Sequence, residues 1–503
     1  MTVIDPLKQA ALAMSYLQLL ATAALVFCSS VAFYRLYIHP LSKHPGPRLW
    51  ALTRIPMAYN GYTGYLPYRI AELHDKYGPI VRLAPDEVSF ITASAWGDIY
   101  MKQPGKPQLG KNPYDFLPPA SGVVGLGPWP IPDDVHNRIR RNFSSAFSEK
   151  SVREQEPILQ KYISQLVSKL HENCAQPVNI LQWYNFTTFD VIGDLTFGES
   201  FACLETSTLH AWVLDVFEFV AAAFMLGLTQ YFWPLTPILM AMVPRNFREA
   251  ASRHTTMTKE KLDRRLGYTE SRPDFVEPAL KLLDTPNGVS YQELLETVVA
   301  LMVGGSESTA SVLSGLTYHL LRNPPVMAKL TDAIRTSYKS PDEINLTNVS
   351  NVTYLVAVLN EALRLFPPVP GALRRITPPE GCTISGHFIP GDTKVAVDLY
   401  AAGHSALNFT RPKEFIPERW LADPPLEFKG DNRKVCQSFS AGPRNCLGQN
   451  LAHAEMRLIM TNLLWEFDFE LAEESKSWLK GLKVITFIEK RPLMVKLTPV
   501  VRT

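Results

Sequence analysis

The chain is expected to fold as a mostly α-helical globule with small peripheral β-sheets, behind one N-terminal transmembrane helix. Three observations lead there. Residues 9–34 carry no charge, a run long enough to cross a hydrocarbon core of about 30 Å. Helical periodicity or length marks residues 136–147, 152–170, 180–196, 291–322, 356–366 and 449–465. Strand-like patterning is confined to 80–92, 386–397 and 484–497.

Bulk properties narrow the function classes. With 503 residues and 46% apolar composition, the chain can bury a large core. A net charge of +2 gives no electrostatic case for nucleic acid as a partner. The six cysteines include no Cys-x-x-Cys pair, which speaks against a disulfide framework or zinc site and fits a reducing compartment.

The N-terminal apolar run has tyrosines near its ends, Tyr16, Tyr34 and Tyr37, as interfacial anchors do. A cleaved signal peptide, cut near Ala21–Ala24, is the alternative reading. Arg35, Lys43 and Arg48 follow the run, against Lys8 and Asp5 before it, so the positive-inside bias puts the C-terminal bulk in the cytosol. The expected division is an anchor over 1–35, a proline-rich linker over 36–50 built on His44-Pro45-Gly46-Pro47, and one catalytic domain over 51–503.

Further along, Pro85-Asp86 divides 80–92 into a predicted hairpin, and Pro390-Gly391 marks a turn within 386–397. Residues 219–244 are uncharged, but Pro234 and Pro237 interrupt them, leaving too short a run for a second span. We read this stretch as a lid of apolar helices partly dipped in the bilayer; a core helix pair is the alternative.

The 291–322 segment opens on a capping-box signature, Ser290 with Glu293, and ends at Asn323-Pro324-Pro325. It is apolar on nearly every face, so it belongs in the interior. Yet Gly304-Gly305 sits in its middle, where two glycines cost about 2 kcal/mol against alanine. Ser306, Glu307, Ser308 and Thr309 follow. Polar rule-breaking in a buried helix marks a functional site, with close helix packing as the plainer alternative.

The most telling stretch is Phe439-Ser-Ala-Gly442-Pro-Arg444-Asn-Cys446-Leu-Gly448, just ahead of a helical run. Such a loop presents one thiolate to a metal while backbone N–H groups point at the sulfur, the arrangement that tunes a haem iron. Gly442 and Gly448 let the backbone turn tightly beside a flat macrocycle. Arg444 offers a charged fork suited to a propionate.

That loop resembles the haem-binding loop of the cytochrome P450 superfamily, and Gly304–Thr309 resembles its oxygen-activation motif, with Ser308 where threonine is usual. Glu361-x-x-Arg364 and Arg419, in Pro417-Glu418-Arg419, resemble the family's structural triad. His136 and Arg140 share a helical face where the family commonly has Trp-x-x-x-Arg, and Arg375 resembles another propionate ligand, an ordinary surface arginine being the alternative. The resemblance implies the P450 fold and a heme b cofactor, iron protoporphyrin IX. Cofactor-binding residues would be His136, Arg140, Arg375, Phe439, Gly442, Arg444, Cys446 and Gly448, with Cys446 as metal ligand. Catalytic residues would be Glu307, Ser308 and Thr309, delivering protons to bound oxygen.

No dinucleotide fingerprint appears; Gly122-Val-Val-Gly-Leu-Gly127 has the wrong glycine spacing. Electrons must then come from an NADPH-cytochrome reductase in the same membrane, for which the run Arg138, Arg140, Arg141 offers positive charge, unless it is only a solvated face. The expected reaction inserts one oxygen atom of O2 into a C–H or C=C bond of a lipophilic small molecule, at the endoplasmic reticulum membrane. A haem-thiolate isomerase or dehydratase, or a non-catalytic haem sensor or membrane scaffold, are the competing readings. Asn450-Leu-Ala-His-Ala-Glu455-Met-Arg457 is similar in wording to filamentous-fungal members that oxidise secondary metabolites, trichothecene-type hydroxylases among them.

Overall fold

The computed structural model describes residues 6–115, 125–127, 130–210, 226–232, 235–241, 245–489 and 491–502. Helices dominate, and two of them make the centre. The Tyr291–Arg322 helix runs beside Ile180–Phe197, and the latter is buried along almost its whole length. Ser290 and Glu293 close the expected capping box, each bonding the other's backbone N–H. Asn323 ends the helix, and Pro324 starts the next.

The remaining helical expectations map closely onto Asp133–Ser144, Glu156–Asn173, Thr353–Leu365 and Gln449–Glu466. One run is split. The expected helix over 152–170 is Glu149–Glu154 followed by Glu156–Asn173, because Pro157 has no N–H to give the carbonyl four residues back; Gln155, at the break, bonds the Ala146 carbonyl at 2.9 Å. Pro157 is accommodated at the new helix start, where no N–H is needed.

The main sheet lies to one side over its own apolar core, which includes Val81, Val88, Phe90, Val395 and Val397. Its strand order is Ile80–Ala84, Glu87–Phe90, Lys394–Val397, Arg375–Ile376, Gly110–Lys111. The first two form the expected hairpin, Ile80 opposite Phe90. The third joins in parallel and the rest antiparallel. The stretch 386–397 behaves differently from a hairpin about Pro390-Gly391. His387–Ile389 pairs back onto Cys382–Ile384, while Lys394–Val397 enters the main sheet. Pro390-Gly391 is thus a crossing between sheets; a Cβ on Gly391 would lie 2.1 Å from the Pro379 carbonyl oxygen.

At the N-terminus, Pro6–Phe33 continues through one π-turn to Ile38. Met14–Ile38 contains an 18-residue window with a mean hydropathy of 1.8 and no buried residue. The segment over 36–50 is docked, not slung free. Leu41 and Trp50 are buried, Arg82 N–H donates to the Pro45 carbonyl at 2.8 Å, and Arg82 Nη1 donates to the Arg35 carbonyl at 2.8 Å.

Candidate active site: the Cys446 loop and its surroundings

The Phe439–Gly448 loop is built by left-handed turns and backbone bonds. Ser440 and Gly442 have φ of 61° and 75°, and Cys446 N–H donates to the Phe439 carbonyl at 2.8 Å. At Gly442 glycine is required twice over: a Cβ would lie 2.0 Å from the Tyr100 carbonyl oxygen. Gly448 is different. Its φ is −85°, and a Cβ there would meet only the Phe147 ring, at 3.9 Å.

Cys446 is accessible on one side and packed by protein on the others. Burial pushes its thiol up, while the Gly448 N–H and the Arg140 charge pull it down. Those two groups favour the thiolate that a soft metal ligand needs. Arg140 Nη1 and Nη2 reach the carbonyl and side-chain oxygens of the adjacent Asn445, both at 2.7 Å. Its guanidinium therefore pins the cysteine loop itself.

Beside the loop lies a cluster of bases. Arg444 donates to the Ile131 carbonyl at 2.6 Å and to Asp133 at 2.7 Å. Arg375, buried, packs over the Tyr100 ring at 5.4 Å. His136 is buried too, pushed down to about 4 by burial and then by Arg444. Lys111, which sequence reasoning missed, donates to the Gly127 carbonyl at 2.5 Å. Burial, with Arg375 and Arg444 nearby, lowers it to about 7. Arg375 Nε and Arg444 Nη1 are buried with no partner among the described residues. Such a cluster, with orphaned N–H groups, calls for a multiply charged anion. The carboxylate edge of a porphyrin fits it, and the accessible Cys446 sulfur fits the iron.

Across the core, the central helix stays helical through Gly304-Gly305. The two glycines have separate reasons. A Cβ on Gly305 would strike Ile192 Cδ1 at 2.4 Å, so it permits the close helix pair; one on Gly304 would meet nothing within 4 Å. Ser306 and Ser308 turn their hydroxyls back to the Met302 and Gly304 carbonyls, at 2.7 and 2.5 Å. Glu307 is buried, and so is Thr309, which bonds the carboxyl of Glu455 on the helix following Cys446.

The scaffold behind the loop is the Glu361 cluster. Arg364 Nε and Nη2 hold both Glu361 oxygens at 2.8 and 2.7 Å. Arg419 Nε adds a bond at 3.1 Å and Trp420 Nε1 one at 2.8 Å. All three charged side chains are fully buried. Arg364 also binds the Gly403, Pro412 and Glu414 carbonyls, the extra bonds a desolvated pair needs.

The profile of the Cytochrome P450 family matches residues 44–496. The chain belongs to the cytochrome P450 family. Among its relatives, the cytochrome P450 monooxygenase astA of Talaromyces wortmannii is 42% identical over 480 residues, covering 95% of this chain and 96% of the relative. Averantin hydroxylase of Dothistroma septosporum is 41% identical over 481 residues, covering 95% and 90%. The cytochrome P450 monooxygenase cpaH of Aspergillus oryzae is 39% identical over 480 residues, covering 95% and 92%. The chain is thus an oxygenating oxidoreductase, and the P450 family implies a haem with thiolate-bound iron.

One other expectation changes on this P450. Of the run Arg138, Arg140 and Arg141, the first two are engaged internally: Arg138 pairs with Glu293 and the Gly288 carbonyl. Only Arg141 is left as exposed charge. The lid stretch 219–244 lies partly outside the described residues, at 219–225, 233–234 and 242–244. Its described part includes Tyr231, whose hydroxyl donates to Asp115 at 3.0 Å with Arg54 stacked 4.3 Å over its ring.

Proposed function

We propose that this P450 is a single-pass membrane monooxygenase that hydroxylates a lipophilic secondary metabolite, with electrons from an NADPH-dependent reductase in the same membrane. The observation that carries the reading is Cys446, held between the Gly448 N–H and Arg140 beside a base cluster with unpartnered N–H groups. When bound there, the haem supplies the oxygen-activating chemistry of the family. Cys446 would ligate the iron; Arg375, Arg444, Lys111 and His136 would hold the propionates, Phe439 and Gly442 shape the loop, and Gly448 turns its N–H to the sulfur. Glu307 and Ser308 would pass protons toward the oxygen side, with Thr309 behind them, tied to Glu455.

Hydroxylation as the outcome is supported by the relative named averantin hydroxylase. The apolar Met14–Ile38 helix and the basic residues after it support a membrane anchor with the domain in the cytosol, and we place it at the endoplasmic reticulum as part of this proposal. Exposed Leu49, Ile55, Tyr59, Tyr62, Leu235 and Ile238 suit a surface that rests against lipid.

The test is turnover of metabolites from the host organism by the membrane-bound protein with reductase, NADPH and isotopically labelled O2. One labelled oxygen in the product, dependent on NADPH, is expected. Turnover of a hydroperoxide without NADPH would replace the monooxygenase with an isomerase or dehydratase.

A further inference from the structure

Remote from the Cys446 loop, three buried polar side chains from three elements form a chain. His74 lies near the end of the Leu66–Tyr77 helix, Ser89 in the Glu87–Phe90 strand, and Asp398 at the N-cap of Leu399–His404. His74 Nδ1 is 2.8 Å from the Gly78 carbonyl oxygen, and its Nε2 is 2.7 Å from Ser89 Oγ. Ser89 Oγ bonds one Asp398 oxygen. All three residues are 2% exposed or less.

Counting protons decides what this chain can be. A carbonyl only accepts, so His74 Nδ1 carries hydrogen. The serine hydroxyl has one hydrogen and two bonds to make. If it donates to Asp398, it must accept from a protonated Nε2, and His74 is a cation. If it donates to His74, it must accept from Asp398, and the carboxyl is protonated. Either way the unbroken chain holds one proton more than a carboxylate with a neutral imidazole. The second Asp398 oxygen has no partner among the described residues, which suits a neutral acid better than a buried anion.

We propose that His74, Ser89 and Asp398 act as one titrating unit sharing a single proton, so that the helix–sheet joint they form is pH-sensitive when either end is removed. The other groups facing the unit do not replace that proton. Arg374 and Glu87 act on Asp398 at longer range but are paired with each other at 2.6 Å. The nearby Tyr100 hydroxyl is bonded to the Leu373 carbonyl and the Val397 N–H. Ser in the middle of the chain also rules out a hydrolase-type triad, where the histidine is central.

The shifts of the two ends are opposed. Burial raises Asp398 to about 6 and lowers His74 to about 4. Between these values the folded unit keeps one proton on Asp398, while the unfolded chain keeps one on histidine. The two linkages offset each other. Removing Asp398 leaves His74 alone, whose depressed value makes stability fall as pH drops below about 6.5. Removing His74 leaves Asp398 alone, whose raised value makes stability fall as pH rises from about 4 to 6.

The experiment is thermal unfolding of the full-length holoprotein in detergent from pH 7 to pH 5, for wild type, Asp398→Asn, His74→Gln and the double variant. Relative to wild type, Asp398→Asn should lose about 2 °C over that range and His74→Gln should gain about 1–2 °C. The double variant should track wild type. Asparagine can donate to Ser89 as a protonated Asp398 would, so Asp398→Asn must fold; failure to fold would overturn the proposal. Curves for Asp398→Asn running parallel to wild type would overturn it as well, and decide the matter even if His74→Gln does not fold.

Discussion

Arg140 grips Asn445, the residue before Cys446, with two hydrogen bonds of 2.7 Å, one to its carbonyl and one to its side chain. A lysine offers one point of contact where the guanidinium fork offers two. Arg140→Lys should still bind haem but hold the loop less firmly. The check is the carbon-monoxide difference spectrum during mild heating, in which the variant should lose its thiolate band several degrees below wild type.

The two loop glycines make a controlled pair. Gly442→Ala places a Cβ 2.0 Å from the Tyr100 carbonyl at a φ of 75°, a strain on the order of 1–3 kcal/mol before the clash is counted. Gly448→Ala meets only an ordinary contact at 3.9 Å. Holoprotein yield should fall sharply for the first and stay near wild type for the second.

Glu361→Ala would leave the fully buried Arg364 with carbonyls as its only partners, while Arg419 keeps Asp431. Leaving a buried charge uncompensated costs about 3–5 kcal/mol. Expression should give protein that fails to retain haem, read as a loss of the Soret band per mole of chain.

Lys111 supplies a pH dependence. Its amine is lowered to about 7, and an anion placed among Arg375, Arg444 and Lys111 would raise it again. Haem binding should therefore take up a proton near and above neutrality, so affinity should weaken as pH rises from about 7 to 9. Haem transfer to apomyoglobin, followed against pH, measures this. In Lys111→Met the pH dependence should flatten.

Ser308→Ala removes the hydroxyl that turns back to the Gly304 carbonyl. Peroxide release per NADPH consumed should rise several-fold with haem content unchanged, measured with purified reductase. Ser308→Thr should restore coupling, since the hydroxyl returns.

Much of this was legible in the sequence because local chemistry decided it. The capping box at Ser290, the proline stop after Asn323 and the left-handed turn at Gly442 need no distant partner to be read. Strand partners were not legible in the same way. Whether Lys394–Val397 pairs with its neighbour in sequence or with Glu87–Phe90 depends on which core covers it, and periodicity does not carry that. Lys111 was missed for the same reason: it sits on a two-residue strand whose place opposite Arg375 exists only in the fold. The two bonds from Arg140 to Asn445 were not legible either, since they join residues 305 apart in the chain.

The bond from Arg82 to the Arg35 carbonyl bears on any soluble version of this enzyme. The N-terminal apolar helix is bolted to the sheet at its last turn, so in the proposed membrane its tilt and the height of the globule above it would be set together. A truncation that begins at residue 41 discards the bolt and leaves the Arg82 guanidinium with only the Ala84 and Pro85 carbonyls; one that begins at residue 34 keeps it.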